Sequence, residues 1–303
     1  MTRSAWVLIL VLIFGWIWFL AAGPAREARA QEPPRIISLY AAHTENLLRM
    51  GARDLLVGIS AQETYAGPET AGWTRPPVFS VQDDVEKYLA ARPTLILMRP
   101  QYRDSAPHLW AALEKSGIRI WARQVLRHEE LDDYWLELGR IAGRPEEARK
   151  MTAEFQAAVR AYEEKPRTRR PGVFLEAIHQ TVKTFTPESL PIWAVTLAGG
   201  RNAAPDPDRL GSRIVADFGP ERLLGIASDV DIYLSQEGPM NRASLETVLS
   251  RDLFRELPAF RNRQVYKVPE IYLTRPTPDL LKGIELVSGI IDAFEKTAAG
   301  PGR

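Results

Sequence analysis

The 303-residue chain contains no cysteine. That absence removes disulfides, thiolate metal sites, cysteine nucleophiles and the lipid-modified cysteine of a bacterial lipoprotein together. Histidine is scarce as well: His43, His108, His128 and His179 are the only four. Charge of one sign is also missing, because 39 Lys and Arg face 38 Asp and Glu for a net +1. No basic field is left to recruit nucleic acid, and no nucleic-acid partner is expected. Catalytic signatures are lacking too. No Gly-x-Ser-x-Gly elbow, His-Glu-x-x-His helix, phosphate loop or Gly-x-Gly-x-x-Gly follows a strand-like run. His43 and Glu45 are neighbours at a helix start and make a weak acid/base pair, so the enzyme reading shrinks to an exported hydrolase and the chain is expected not to be an enzyme.

Long apolar runs are confined to one place. Arg3 precedes Ala5 to Ala22, eighteen apolar residues with Trp6, Trp16 and Trp18, and Ala28-Arg29-Ala30 follows. A positive start, an apolar segment and a small-x-small end mark a secretory signal over residues 1–30. The run is long for a signal and nearly spans a bilayer, so an uncleaved inner-membrane anchor stays open beside cleavage after Ala30. Losing residues 1–30 removes three arginines and one glutamate, taking the net charge from +1 to −1. An exported chain without disulfides is compatible with a bacterial periplasm.

What remains is 45% hydrophobic and 25% charged over the whole chain, ordinary globular usage and enough for two cores. The pattern is organised around Asp83 to Pro93, read as a capped helix, which runs into the apolar strand Thr94 to Met98. The same order recurs at Gly219 to Asp229 and Val230 to Leu234, each helix carrying a glutamate, Glu86 or Glu221, in its first turn. That repetition implies two similar lobes. In the first, Arg35 to Tyr40, Leu55 to Ile59 and Ile118 to Trp121 read as further strands, separated by helices at Thr44 to Met50 and Ala106 to Ser116. Ala41 to His43 reads as a corner, and Ser60 to Pro77, with its glycines and prolines, as a surface loop.

Glu129 to Ile141 reads as an amphipathic helix. Glu146 to Glu164 carries Ala148, Met151, Phe155, Ala158, Val159 and Tyr162 at helical spacing without a breaker, and ends in the proline-flanked Lys165 to Pro171. A second lobe restarts at Val173 to Ala177 and proceeds through a helix at Ser189 to Ala198, an irregular Arg201 to Gly211, a strand at Gln264 to Val268 and a closing helix at Asp279 to Phe294. The expected fold is therefore α/β, two Rossmann-like lobes with mainly parallel sheets joined by one long rigid helix. The expected boundaries are 35–143 for the first lobe, 145–165 for the connecting helix and 171–296 for the second.

At this point the residues resemble a known family. Arg35-Ile-Ile-Ser-Leu with Thr44-Glu45 and Gly51, Val57-Gly-Ile-Ser60, Glu86 with Ala91-Arg-Pro93, Leu197-Ala-Gly-Gly200 with Asn202, Gly219-Pro-Glu221-Arg-Leu-Leu with Asp231, and Phe260 to Tyr266 are similar to the metal-chelate type of periplasmic substrate-binding protein of ABC importers. The resemblance runs in order from about residue 35 to 295. It implies a monomeric receptor with no cofactor of its own that captures a ferric siderophore, haem or cobalamin-like corrinoid in a cleft between its lobes and delivers it to the membrane subunits of an importer. A membrane-anchored sensor or adaptor with the same fold is the alternative. The resemblance also implies that Glu86 and Glu221 dock on arginines of those membrane subunits.

In such a fold the strand exits converge on the cleft. The ligand-binding candidates are therefore Tyr40, His43, Tyr65, Trp73, Arg99, Tyr102, His179, Trp193, Gln236, Tyr272 and Arg275. Aromatic faces suit a macrocycle, and arginines suit carboxylates or an anionic chelate. His43 and His179, at corresponding exits, are the candidate axial ligands should the cargo be haem. His108 and His128 are assigned no role.

Overall fold

The structure, a computed structural model, describes residues 32–60 and 70–298. The N-terminal apolar run and Tyr65 lie outside them. Among the described residues, no helix is long and apolar enough to cross a membrane.

The first lobe contains β1 (Ile36–Ser38), α1 (Ala41–Arg49), β2 (Leu56–Ser60), β3 (Val78–Phe79), α2 (Val85–Ala90), β4 (Leu95–Met98), α3 (Gln101–Ser105), α4 (Pro107–Lys115), β5 (Arg119–Ala122) and α5 (Leu131–Ile141). Its five strands form a sheet of order β3-β2-β1-β4-β5 in which each neighbouring pair is parallel. The central strands β1 and β4 are buried at every position, which is why they read as unbroken apolar runs. Besides the short α3, two details differ from the sequence reading. α1 begins at Ala41 rather than Thr44, so His43 lies inside the helix. Val78-Phe79 forms a two-residue edge strand directly after Pro76-Pro77, where prolines cost no ladder hydrogen bond.

The long helix α6 (Pro145–Glu163) follows, 19 residues and so about 28 Å. It packs antiparallel on α5 at short range: a methyl group on Gly139 would lie 2.3 Å from Ala148 Cβ. Its buried positions Ala148, Thr152, Phe155 and Val159 repeat at three to four residues, the expected single apolar stripe.

The second lobe contains β6 (Gly172–Glu176), β7 (Thr184–Phe185), α7 (Leu190–Leu197), β8 (Arg201–Asn202), β9 (Asp208–Arg209), β10 (Val215–Asp217), α8 (Pro220–Gly225), β11 (Ile232–Glu237), α9 (Leu245–Leu249), α10 (Pro258–Arg261), β12 (Val265–Pro269), α11 (Ile271–Thr274) and α12 (Leu280–Ala298). The parallel sheet has the order β12-β11-β6-β8, and β7-β10-β9 make a small antiparallel sheet beside it. Part of the stretch expected to be irregular, Arg201 to Gly211, thus supplies β8 and β9.

The lobes share one core. Leu190 of α7 and Leu280 of α12 are buried in the same cluster as Ile36, Leu47, Trp135 and Phe155. A polar strap runs alongside: the Pro276 carbonyl accepts 3.0 Å hydrogen bonds from Asn46 Nδ2 and from Trp135 Nε1. On either side, Arg275 pairs with Glu45, and Arg49 Nη2 lies 2.9 Å from Asp279 Oδ2. Asn46 and Trp135 are fully buried, so no water competes for that carbonyl.

A second buried network holds the far lobe. Glu176, fully buried on β6, accepts from Tyr233 Oη at 2.7 Å, Ser235 Oγ at 2.9 Å and Arg251 Nη1 at 2.5 Å. Replacing Arg251 by methionine strands the carboxylate and is expected to cost about 3 to 5 kcal/mol. Adding Glu176→Gln is expected to recover most of that loss. Urea unfolding of the single and double variants checks both.

Candidate functional site

The C-terminal ends of β1, β2, β3 and β4 enclose a pocket of about 290 Å³ lined by Leu39, Ser60, Phe79, Ser80, Val81, Gln82, Arg99 and Tyr102. Parallel strands whose connections leave on opposite faces open a crevice at this end, and the residues just past each strand fill it. Arg99 follows β4 directly, and α3, unforeseen from the sequence, turns Tyr102 back toward it. Arg99 Nη2 donates to Tyr102 Oη at 2.6 Å. The guanidinium carbon lies 5.3 Å from the Tyr40 ring centre and 4.9 Å from that of Tyr102. Its Nε is buried without a hydrogen-bond partner. Among the described residues the pocket lining carries hydroxyls, an amide and this cation but no acid, so it suits an anionic or oxygen-rich group. Tyr40, Arg99 and Tyr102 are thus brought together as expected of strand exits.

His43 is placed differently. It is fully buried, with Nε2 3.3 Å from the Met98 carbonyl and Nδ1 2.7 Å from Tyr134 Oη. A carbonyl only accepts, so Nε2 carries the proton, and Nδ1 accepts from the tyrosine hydroxyl. Asn46 Nδ2 in turn donates to Tyr134 Oη at 3.2 Å and to the Pro276 carbonyl. The hydrogen bonds share one direction, Asn46 to Tyr134 to His43 to Met98, and connect the interlobe strap to the residue preceding Arg99. Burial lowers the imidazole from 6.5 to about 4, with the nearby Arg99 charge adding to the effect. Neutral and bonded at both nitrogens, His43 has nothing to offer a metal. The early start of α1 is the reason, because it rotates the side chain inward.

The other candidates divide. Trp73 is half-buried and packs on Ala41 and Ile59 beside the pocket end of α1 and β2. His179 leaves β6 partly buried, its Nδ1 2.9 Å from Asn241 Oδ1. Gln236 is fully buried on β11 and donates to the Ala177 carbonyl at 2.7 Å, leaving its Oε1 buried without a partner. Tyr272 sits on α11 with Lys282 Nζ 5.5 Å from its ring centre. Trp193 lies on α7, stacked on His128 at 4.9 Å and packed toward Phe155 of α6, so it is part of the shared core. Arg275 belongs to the strap through Glu45, whose carboxyl is pushed by burial up to about 7 against the pull of Arg275.

A second pocket, of about 190 Å³, spans the two lobes. Leu126, Arg127 and Glu130 line it from the first, and Thr186, Glu188, Ser189, Arg209 and Arg213 from the second. Arg209 Nη2 lies 2.9 Å from Glu188 Oε2, and that hydrogen bond holds the Glu188 carboxyl below its usual range. None of these residues is a strand-exit candidate in the sequence. Among them, Arg209 falls in Arg201 to Gly211, a stretch without a readable period.

Glu86 and Glu221 are exposed in the first turns of α2 and α8. Neither carboxylate has a hydrogen-bond or ion-pair partner among the described residues. No group of three or more His, Cys, Asp or Glu is arranged to hold a metal ion among those residues.

The family model for periplasmic binding proteins matches residues 36–272, and the chain belongs to that family. A vitamin B12-binding protein of Vibrio cholerae is 24% identical over 298 residues, 92% of this chain and 96% of the relative. The periplasmic heme-binding protein RhuT from Roseiflexus sp. RS-1 superposes with a TM-score of 0.69 at 20% identity, over 86% of this chain and 99% of that one. The structure of an ABC-type Fe3+-hydroxamate transport system from Saccharomonospora viridis gives 0.66 at 19% identity, over 86% and 93%. These likenesses share the bilobed α/β fold over 86% of the chain.

The buried His43 predicts a pH dependence. The native state favours the neutral ring, whereas the unfolded chain takes up a proton once the pH falls below 6.5. Its stabilising contribution is complete above that value and is lost on the way down to about pH 4. The wild type is expected to lose about 3 kcal/mol relative to His43→Gln across this window. Urea titrations of both proteins at several pH values measure the difference, and a pH-independent gap would refute the assignment.

Proposed function

We propose that this protein is the substrate-binding component of an ABC importer, which captures a metal chelate between its lobes and delivers it to an inner-membrane permease. The observation that carries the reading is the preformed Arg99 pocket at the strand exits of a chain whose residues 36–272 match the periplasmic binding protein family. The cargo class is an iron chelate, haem or a cobalamin-like corrinoid, the range spanned by the names of the relatives. Among the candidates, Tyr40, Trp73, Arg99, Tyr102 and His179 are the ligand-binding residues we retain, with Tyr65 outside the described residues. In this assignment residues 1–30 direct export to the periplasm, 35–143 and 171–296 are the lobes, 145–165 is the connector, and the receptor acts as a monomer.

Delivery requires a contact with the permease, and Glu86 and Glu221 are suited to it. Each stands in the first turn of a short helix, exposed and without a partner among the described residues, one on each lobe. Acids in first turns are oriented by the helix dipole, and a cationic partner would find both without displacing an existing ion pair.

Two measurements test the proposal. The absorption spectrum of protein purified from its native host separates haem, corrinoid and iron-catecholate cargo, and a preparation that carries and binds none of the three would refute the cargo class. In vesicles reconstituted with the importer, Glu86→Arg/Glu221→Arg is expected to abolish stimulation of ATP hydrolysis while cargo affinity stays unchanged. Undiminished stimulation would remove the docking role.

A further inference from the structure

The residue after each exposed glutamate is basic: Lys87 follows Glu86, and Arg222 follows Glu221. A cation beside a docking carboxylate is a liability, since it weakens the local negative potential and repels the arginine or lysine that the carboxylate is meant to attract. In both lobes this cation, 44% exposed at Lys87 and 36% at Arg222, is engaged by the same two devices. Lys87 Nζ lies 2.7 Å from Asp83 Oδ2, and 5.2 Å from the centre of the Phe79 ring. Arg222 Nη1 lies 3.1 Å from Asp208 Oδ2, and Nη2 lies 3.2 Å from Asp206 Oδ1 while donating to the Asp206 carbonyl at 2.7 Å. Its guanidinium carbon sits 4.7 Å from the centre of the Phe218 ring.

The two arrangements combine local and non-local contacts differently. Asp83 precedes its lysine by four residues on the same helix start, whereas Asp206 and Asp208 reach Arg222 from the strand β9 region, and the two phenylalanines come from an edge strand and from the turn before α8. Different backbone routes deliver an aspartate and an aromatic face to the equivalent cation. The rings are fixed points, with Phe79 2% and Phe218 5% exposed. Asp83 is fixed as well, because its Oδ2 also accepts from the Ser80 amide at 2.8 Å.

We propose that Asp83 with Phe79, and Asp206 and Asp208 with Phe218, act as cation clamps: they draw Lys87 and Arg222 off the docking face so that Glu86 and Glu221 meet a basic partner uncompensated. These are positioning residues that act through the neighbouring base, and the partner is the pair of arginine- or lysine-bearing periplasmic loops of a two-fold permease. The inference rests on the docking role given above to Glu86 and Glu221. It explains why a strongly basic side chain is tolerated next to each of them. On a helix, adjacent residues diverge, so a clamped base points away, while a released one regains the rotamer freedom to sweep back over its neighbour.

The test measures association with the cognate permease–ATPase complex in nanodiscs by surface plasmon resonance at low and high salt. Asp83→Asn and Asp206→Asn/Asp208→Asn are each expected to lower the association rate about threefold or more at low salt, with the deficit shrinking at high salt as charges are screened. Asp83→Asn/Lys87→Gln is expected to recover the wild-type rate, because the released cation is gone, and Asp83→Glu is expected to retain it. Thermal unfolding of every variant verifies that the fold is kept. Failure of Lys87→Gln to rescue Asp83→Asn would mean that Asp83 acts through the Ser80 turn, and would overturn the clamp. So would wild-type rates in the aspartate variants. A control with Glu86→Ala/Glu221→Ala separates the two claims: if it loses binding while the aspartate variants do not, docking stands and the clamp falls, and if it binds normally, docking itself falls.

Discussion

One carbonyl organises this molecule. Pro276 O belongs to the second lobe, yet both of its hydrogen bonds come from buried side chains of the first, Asn46 on α1 and Trp135 on α5. Ion pairs flank it at Glu45 with Arg275 and at Arg49 with Asp279. Breaking the strap would expose a buried amide, an indole and a carbonyl without partners, each a cost of the order of a kilocalorie or more. The hydrophobic core behind it is continuous across the lobes through Leu190 and Leu280, with Phe155 of α6 set edge-on against Trp135 at 4.8 Å. The connecting helix is therefore only one of three ties. The lobes are held by covalent linkage, by shared apolar surface and by a dry polar contact.

That constraint reaches the pocket by a short route. Asn46, which holds Pro276, also donates to Tyr134, and the chain of hydrogen bonds continues through neutral His43 to the carbonyl of Met98. The next residue is Arg99, presented between two tyrosine rings to the strand-exit pocket. A cationic group oriented by stacked aromatics and one hydroxyl loses little freedom when an anionic group arrives, which is where preorganised sites gain affinity. Ser80 lines the same pocket and, through its amide, fixes Asp83 at the entrance to α2. The pocket lining and the start of α2 are thus tied together within one turn, Ser80 to Asp83.

Much of this was legible in the sequence because it rests on local patterns. β1, β4 and the start of β11 are apolar runs bounded by turn residues, α6 shows its stripe at Ala148, Phe155 and Val159, and Asp84 caps α2 by accepting from the Lys87 amide. What escaped had no local signal. β3, β7, β8 and β9 have two residues each, too few for a period to show. α1 starts at Ala41 behind Tyr40, which makes no side-chain cap, so nothing in the sequence marked the turn that buries His43. The pairing of Arg275 with Glu45 spans 230 positions and follows only from the three-dimensional fold. The same holds for Trp193, whose partners His128 and Phe155 come from the other lobe and the connector.

The strap and shared core fix the lobes relative to each other before cargo arrives. Small-angle X-ray scattering of the cargo-free protein and of the protein saturated with the cargo it carries from its native host tests this most directly. Superimposable profiles and an unchanged radius of gyration are predicted. A contraction outside experimental error, of the kind produced when lobes close about a flexible hinge, would contradict it.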